Sequence, residues 1–183
     1  KSAVAYKVDE TQYDLSDQLK DNAQVSIITI QSEEGLEIMR HTLTAQVLAR
    51  AIKNLYPKSK LAIGPTIEDG FYYDVESEEV ISSDDLIKIE DEMKNIIKTK
   101  SLLTKKLVSK SEALKIFKEK KEPFKETIIN ESNQKNDFQL YYQDNEEFVD
   151  LCRGPHLPNL GFIGSFKLTK VSGAYWKGDS KNT

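Results

Sequence analysis

SEEGLEIMRHTLTAQVLARAIKNLYP, at residues 32–57, decides the fold that we predict for this chain. Its apolar residues recur at steps of three and four, which is the spacing of one face of an α-helix, and Pro57 ends the run. The apolar positions are Leu36, Met39, Leu43, Val47, Leu48, Ala51 and Leu55. We therefore predict a long amphipathic helix that packs on a core.

Ahead of this helix the sequence is rich in β-branched and aromatic residues. VAYKV (4–8) and VSIITI (25–30) predict strands, and polar segments such as DETQYD (9–14) predict turns between them. QSEEG (31–35) interrupts the pattern. We predict a small β-rich piece over residues 1–32 and a larger domain over residues 33–183.

The rest of the chain alternates strand and helix patterns. KLAIGPTIEDGFYYDV (60–75) predicts two strands around a turn, and an amphipathic helix is predicted after Ser83. SKSEALKIFKEKK (109–121) opens with Ser109 and Glu112 at the spacing of a capping box and predicts a short helix. Further strands are predicted at FQLYYQ (138–143), FVDLC (148–152), IGSFKLTKV (163–171) and GAYWKG (173–178). This order predicts an α+β fold with helices packed on a mostly antiparallel sheet.

Composition and charge exclude some classes of protein. No apolar run approaches the roughly 18 residues that cross a bilayer, so we predict no membrane partner. The single cysteine cannot form an internal disulfide, which fits a reducing compartment, and we predict a cytoplasmic protein. The net charge of −4 argues against a dedicated nucleic-acid binder. Residues 94–125, however, hold eleven lysines against three glutamates, and this strip either faces phosphates or is a solvated surface.

DLCRGPH (150–156) groups side chains that can do chemistry at the end of a predicted strand. As a metal site, Cys152 and His156 supply two ligands where zinc needs at least three from protein, and the other histidine is His41. As a hydrolytic site, the thiol or the imidazole could activate water, or the two could form a nucleophilic pair beside Asp150. An ordinary turn is the third interpretation, and the spacing alone favours it.

Four motifs together change this interpretation. They are GPTIEDGFYYDV (64–75), EPFKETII (122–129), DLCRGPHLPN (150–159) and GSFKLTKVSGAYWKGD (164–179). In this order and with these separations they resemble the editing domain of bacterial-type threonyl-tRNA synthetases, whose fold is shared with the editing domains of alanyl-tRNA synthetases. The resemblance covers residues 33–179, and residues 1–32 resemble the later half of the small β-grasp (TGS) domain. We expect the chain to be an N-terminal fragment of such an enzyme.

The resemblance implies a hydrolase that removes serine from tRNA(Thr) with a positioned water. It places Cys152 and His156 at the water and ester end of a pocket, and Asp150 at the seryl amine or hydroxyl. It places Lys125 near the scissile ester and Tyr73 near the terminal adenosine. The implied partners are the serine-bearing acceptor end of tRNA(Thr), a catalytic domain in the same chain and a second subunit in a homodimer. No metal or cofactor is expected in this part, whereas the full-length enzyme is expected to use ATP, Mg and a zinc in its catalytic domain.

The long helix departs from the family pattern RHSxAHLL, because this chain has MRHTLTAQVLARA. An ungapped alignment on the downstream residues places Thr42 and Gln46 at the two histidine positions. An upstream alignment keeps His41 but requires an insertion and places Ala45 at the second position. We favour the first, because it extends further and needs no insertion in the buried part of the helix. Thr42, Gln46 and His41 all stay candidate substrate-binding residues, although His41 would enter the site only if the helix were distorted. The alternative function is a degenerate module that contacts the acceptor end of tRNA but has lost most hydrolytic activity.

Overall fold

The N-terminal part of the chain forms a three-stranded antiparallel sheet in the structure, a computed structural model that describes residues 2–173. Its strands are β1 (Ala3–Val8), β2 (Thr11–Asp14) and β3 (Val25–Thr29), in the order β2-β1-β3. The predicted β-rich piece is confirmed. The prediction of a turn at DETQYD is wrong for residues 11–14, which form β2. Tyr13 of β2 pairs with Tyr6 of β1, and the centroids of the two stacked rings are 5.2 Å apart.

The predicted long helix is present, but it is not a uniform α-helix. It runs as α1 (Glu33–Thr42), a π-helical segment (Leu43–Leu48) and α2 (Ala49–Leu55). Ser32 begins it by accepting a hydrogen bond from the N–H of Gly35 at 3.0 Å, which satisfies one of the free donors of the first turn. The N–H of Ala49 bonds to the carbonyl of Thr44, five residues back. This wider turn rotates α2 relative to α1.

Two short hairpins and a third helix follow. β4 (Lys60–Leu61) pairs with β7 (Val75–Glu76), and inside that hairpin β5 (Thr66–Ile67) pairs with β6 (Gly70–Phe71). A 3-10 turn (Ser83–Asp85) leads into α3 (Leu86–Lys98). The capping side chain is that of Ser82, which forms a capping box with Asp85.

The second three-stranded sheet has the order β10-β9-β8 and is antiparallel. β8 (Leu103–Val108) is followed by α4 (Lys110–Glu119) and α5 (Pro123–Glu131), and then by β9 (Phe138–Gln143) and β10 (Val149–Leu151). Ser109 caps α4 as predicted, accepting from the N–H of Glu112 at 3.2 Å. β8 and α5 were not predicted.

The strand predicted at residues 163–171 is wrong, since this segment has no regular secondary structure. Its polar groups bond to helix α3 instead of a strand partner. The N–H of Leu168 donates to a carboxylate oxygen of Glu90 at 2.8 Å, and the ammonium of Lys167 pairs with the same carboxylate at 2.9 Å. The strand predicted at GAYWKG (173–178) lies outside the described residues apart from Gly173.

Two hydrophobic clusters hold these elements together and confirm the predicted α+β class. The larger cluster contains Val4 and Ile28 from the N-terminal sheet, residues of the long helix and of α3, and Leu157. The smaller one lies between α4, α5 and the second sheet, around Phe117 and Ile129. The N-terminal sheet therefore shares its core with the rest of the chain, and the division at residues 32 and 33 stays a prediction. Within residues 2–173, none of the helices has the length and apolar character needed to cross a membrane.

Candidate active site

Strand β10 aims two of the predicted site residues in the same direction. Asp150 lies in the strand opposite Tyr141, and Cys152 follows two residues later, with its N–H donating to the carbonyl of Gln139 at 3.2 Å. Alternate residues of a strand face the same side, so the carboxylate and the thiol share a face. The site is built outward from this face.

On one side of Asp150 lies a buried ion pair. The ammonium of Lys125, from α5, is 2.7 Å from a carboxylate oxygen of Asp150, and it also donates to the hydroxyl of Tyr73 at 3.2 Å. Lys125 is 4% exposed and Asp150 is 2% exposed. Burial alone would lower the pKa of Lys125, but the charge of Asp150 outweighs it and holds that pKa above its usual range. Lys125 is thus a fixed cation and not a base.

On the other side a histidine of the long helix contacts the cysteine. Nε2 of His41 lies 3.0 Å from Sγ of Cys152, and the carbonyl of Pro155 accepts a hydrogen bond from the His41 ring. Since a neutral imidazole carries one N–H, Nε2 is left to accept the thiol proton. Burial raises the pKa of Cys152 to about 12 and lowers the pKa of His41 below 6.5. The pair is therefore a neutral thiol and a neutral imidazole at physiological pH.

His156 is enclosed behind this pair, at 2% exposure. Its Nδ1 is 3.0 Å from the hydroxyl of Thr42, which accepts from the N–H of Leu157 and donates to the carbonyl of Ile38. Because the single hydroxyl proton goes to Ile38, Nδ1 of His156 must be the donor to Thr42. The Nε2 atom carries the lone pair, and it is buried without a partner among the described residues. Burial and the nearby His41 keep the pKa of His156 well below its usual value.

The sequence left open whether His41 or Thr42 enters the site, and the structure places both side chains there. His41 contacts Cys152 and Thr42 contacts His156, while the π-helical segment begins at the next residue, Leu43. One extra residue per turn is the distortion that keeps His41 at the site without displacing the downstream helix. Gln46 is fully buried. The side-chain amide of Gln143 donates to the backbone carbonyl of Gln46 at 2.7 Å and to its side-chain oxygen at 3.2 Å.

The sequence did not indicate two residues that hold the turn at His156. Asp14 of β2 accepts from the N–H of His156, and the hydroxyl of Tyr141 donates to Asp14. Gly154 has φ +64°, and a β-carbon there would lie 1.9 Å from the Tyr141 hydroxyl, so this position requires glycine. No local sequence pattern relates Asp14 to a turn so far along the chain.

Two clefts give access to these groups. One of about 340 Å³ is lined by Lys125 and Asp150 together with Arg50 and Phe148. The other, of about 260 Å³, is lined by His41 with Pro65, Thr66 and Pro155. The Lys125–Asp150 pair lines the first cleft and His41 lines the second, and the charges of Asp150 and Lys125 both act on Cys152.

The sequence comparisons agree with this picture. A family described as "Threonyl and Alanyl tRNA synthetase second additional domain" matches residues 139–183. Over 182 residues the chain is 50% identical to threonine–tRNA ligase 2 of Bacillus subtilis (strain 168). It is 46% identical over 182 residues to threonine–tRNA ligase of Prochlorococcus marinus (strain MIT 9515), and 44% identical over 182 residues to that of Hahella chejuensis (strain KCTC 2396).

The chain matches a segment of bacterial threonine–tRNA ligases. Each of these three matches covers 100% of the chain, which spans 28% of the length of each relative. The resemblance inferred from four short motifs is thereby confirmed. The assignment of Cys152, His156, Asp150, Lys125 and Tyr73 to an active site stays a prediction, which their mutual contacts support.

Three side chains of the site could together hold a metal ion. His41, Cys152 and His156 each offer one metal-ligating atom, and these three atoms lie within 4.8 Å of one another. Three protein ligands suit a catalytic zinc, but the Cys152 thiol would have to lose its proton first. The absence of a metal from this chain therefore stays a prediction.

The lysine strip at residues 94–125 is not one surface. Lys125 is buried in its pair with Asp150, and Lys105 is paired with Asp14 and Asp17. Others such as Lys98 and Lys118 are exposed. For the remaining lysines, a surface that faces phosphates and a solvated surface both stay open.

Cys152 is expected to react slowly with a small aromatic disulfide. Raising the thiol pKa from 9.0 to about 12 lowers the thiolate fraction roughly 1000-fold, and the greater nucleophilicity of a more basic thiolate offsets part of this. We expect a rate at pH 7.5 about 50-fold below that of the same cysteine in urea-unfolded chain. Equal rates for folded and unfolded chain would contradict the protonated thiol.

Proposed function

We propose that this chain is the editing part of a threonine–tRNA ligase and hydrolyses the ester bond of serine wrongly attached to tRNA(Thr). The observation that carries the proposal is the Cys152–His41 contact beside the Lys125–Asp150 ion pair, in a chain that matches such ligases. Serine lacks one methyl group of threonine, and such a difference is worth only about 1 to 3 kcal/mol in a binding pocket. A second pocket that admits only the smaller residue removes the remaining errors.

The proposed reaction is attack of a positioned water on the seryl carbonyl. When the Cys152 thiol turns its proton away from Nε2 of His41, that nitrogen accepts the water proton and returns it to the ribose oxygen, which leaves as a hydroxyl; the products are serine and uncharged tRNA. The Lys125 ammonium stabilises the negative charge that develops on the carbonyl oxygen. Asp150 binds the seryl ammonium, Tyr73 lies beside the terminal adenosine, and His156 fixes the inner wall.

Cys152 has two possible parts in this reaction. His41, whose Nε2 lies 3.0 Å from the thiol, could serve as the base for a cysteine nucleophile. The raised pKa of Cys152 nevertheless favours a thiol that donates a hydrogen bond over a thiolate that attacks. We therefore keep the positioned water as the proposal.

The wider setting is proposed on the same basis. The partners are the acceptor end of tRNA(Thr) carrying serine and a catalytic domain in the same polypeptide, within a cytoplasmic homodimer. The editing part is proposed to work without a metal or cofactor, while ATP, Mg and zinc belong to the synthetic half of the ligase.

The decisive experiment compares hydrolysis of Ser-tRNA(Thr) and Thr-tRNA(Thr) by the 183-residue chain. We expect serine to be released and threonine to be retained. Cys152→Ala and His156→Ala should each slow the reaction, and a rate unaffected by both would contradict the site. Acid quenching during turnover distinguishes the routes, since a seryl thioester on Cys152 in the mass spectrum would show attack by the thiol.

The degenerate module remains a second candidate, because Gln46 is buried against Gln143 and cannot act as a base. A hydrolysis rate near zero, with retained binding of the acceptor end, would favour it. Gln46→His is the informative variant, since Thr42 is required by His156. A robust rate for the unchanged chain would reject this candidate.

A further inference from the structure

Asp14 places a buried carboxylate from the N-terminal sheet directly against the candidate active site. One oxygen accepts from the backbone N–H of His156 at 2.8 Å. The other accepts from the hydroxyl of Tyr141 at 2.7 Å and pairs with the ammonium of Lys105 at 2.9 Å. Asp14 is 6% exposed, so these bonds are shielded from water.

Two of the three partners of Asp14 determine where the His156 imidazole lies. One is the backbone N–H of His156, and the other is Tyr141, whose ring packs edge-on against the His156 ring with centroids 4.4 Å apart. The His156 ring in turn lies 4.6 Å from the His41 ring. A single carboxylate therefore fixes the backbone of His156, one wall of its ring and, through it, the packing of His41.

We propose that Asp14 is a positioning residue for the hydrolytic site, so that the N-terminal sheet is an integral part of the editing pocket. Asp14 contacts neither Cys152 nor His41 by any described hydrogen bond, and it acts through His156 and Tyr141. The kinetic part of this inference rests on the proposed function, whereas the geometry of the His156 ring can be measured without substrate.

A matched control separates positioning from general stabilisation. Asp17 also pairs with Lys105, and it accepts from the backbone N–H of Asp14 at 2.9 Å. None of its described hydrogen bonds or ion pairs reaches His156 or Tyr141, and only its charge acts on the Tyr141 hydroxyl. Asp14→Asn and Asp17→Asn each leave Lys105 with one carboxylate partner. The two variants differ because only Asp14 bonds to the turn at His156.

Asparagine offers one acceptor oxygen where aspartate offers two. If the asparagine oxygen keeps the bond to the His156 N–H, the amide –NH2 replaces the oxygen that faces Tyr141 and the Lys105 ammonium; Tyr141 can then only accept, and Lys105 meets a donor in place of an acceptor. We expect kcat for Ser-tRNA(Thr) hydrolysis to fall on the order of 100-fold, as for other small displacements of a catalytic group. KM should change by less than about threefold, because the substrate contacts are untouched. Asp17→Asn should stay within about twofold of the unchanged chain in both constants.

Tyr141→Phe tests the second arm of the contact. It removes the hydroxyl that donates to Asp14 and keeps the ring that packs on His156. If the two residues act as one unit, the double variant with Asp14→Asn should be no slower than the more affected single variant. Multiplied losses in the double variant would count against a common path through Asp14.

The ring of His156 provides a readout independent of hydrolysis. With only two histidines in the chain, nitrogen-detected NMR can assign both rings, and we expect a single Nδ1–H tautomer for His156. Asp14→Asn should shift the His156 ring signals, while Asp17→Asn should leave them in place. Unshifted signals in Asp14→Asn, or equal losses of kcat in both variants, would overturn the proposal. If the unchanged chain fails to hydrolyse Ser-tRNA(Thr), the proposed function fails and the ring signals still decide the position of His156.

Discussion

Asp150→Asn is expected to lower the free energy of unfolding by about 3 to 5 kcal/mol, because it leaves a buried lysine without its counter-charge. The Lys125 side chain is 5% exposed and lies 2.7 Å from Asp150. The remaining neighbour is the Tyr73 hydroxyl, which offers a lone pair but no charge. Urea denaturation at pH 7 measures the loss.

Two further variants define what that loss means. Glu146→Gln removes the partner of Lys106 in an ion pair whose side chains are 62% and 46% exposed, and it should lower the stability far less than Asp150→Asn does. Lys125→Met combined with Asp150→Leu should recover much of the stability, since both charges leave the interior together. A loss in Asp150→Asn no larger than that of Glu146→Gln would contradict a buried, uncompensated ammonium.

The sequence predicted those elements whose signals are local. Helix α4 follows from Ser109 and Glu112 three residues apart, and β9 follows from a compact run of aromatic and branched residues at 138–143. β8 carries Lys105 and Lys106 in its centre, so its pattern looks like a charged surface. The distant carboxylates of Asp14 and Asp17 explain why Lys105 belongs in the fold.

The candidate site also combines residues that the local sequence predicts with residues that only distant contacts bring together. Asp150 and Cys152 were predictable because they lie two residues apart in one strand, but the thiol partner His41 is 111 residues away in the sequence. No residue pattern predicts the π-helical segment that follows His41, because the formation of a wide turn depends on what the helix packs against. The sequence therefore favoured the ungapped alignment, and only the tertiary contacts show that His41 and Thr42 both reach the site.

His41→Ala is expected to reduce Ser-tRNA(Thr) hydrolysis by about 100- to 10,000-fold, the usual contribution of a positioned general base. The reason is the lone pair of Nε2, which lies at the Cys152 thiol and beside a cleft open to solvent. Because burial lowers the pKa of His41 below 6.5, the neutral, active form persists as the pH falls through 6.5. The rate should therefore be flat from pH 8 to 6.5 and should fall only at lower pH. Single-turnover hydrolysis across this range, with subtraction of the uncatalysed ester hydrolysis, measures both effects.

Arg40→Ala is the matched control for His41→Ala. Arg40 precedes His41 in the same helical turn, and its guanidinium donates to the exposed carbonyl of Glu68, away from the thiol. Loss of general helix stability would affect both variants, whereas loss of the base affects only His41→Ala. A rate in His41→Ala within about tenfold of the unchanged chain would exclude His41 as the base. It would transfer that role to the buried Nε2 of His156, which the substrate could reach only after the His41 ring had moved aside.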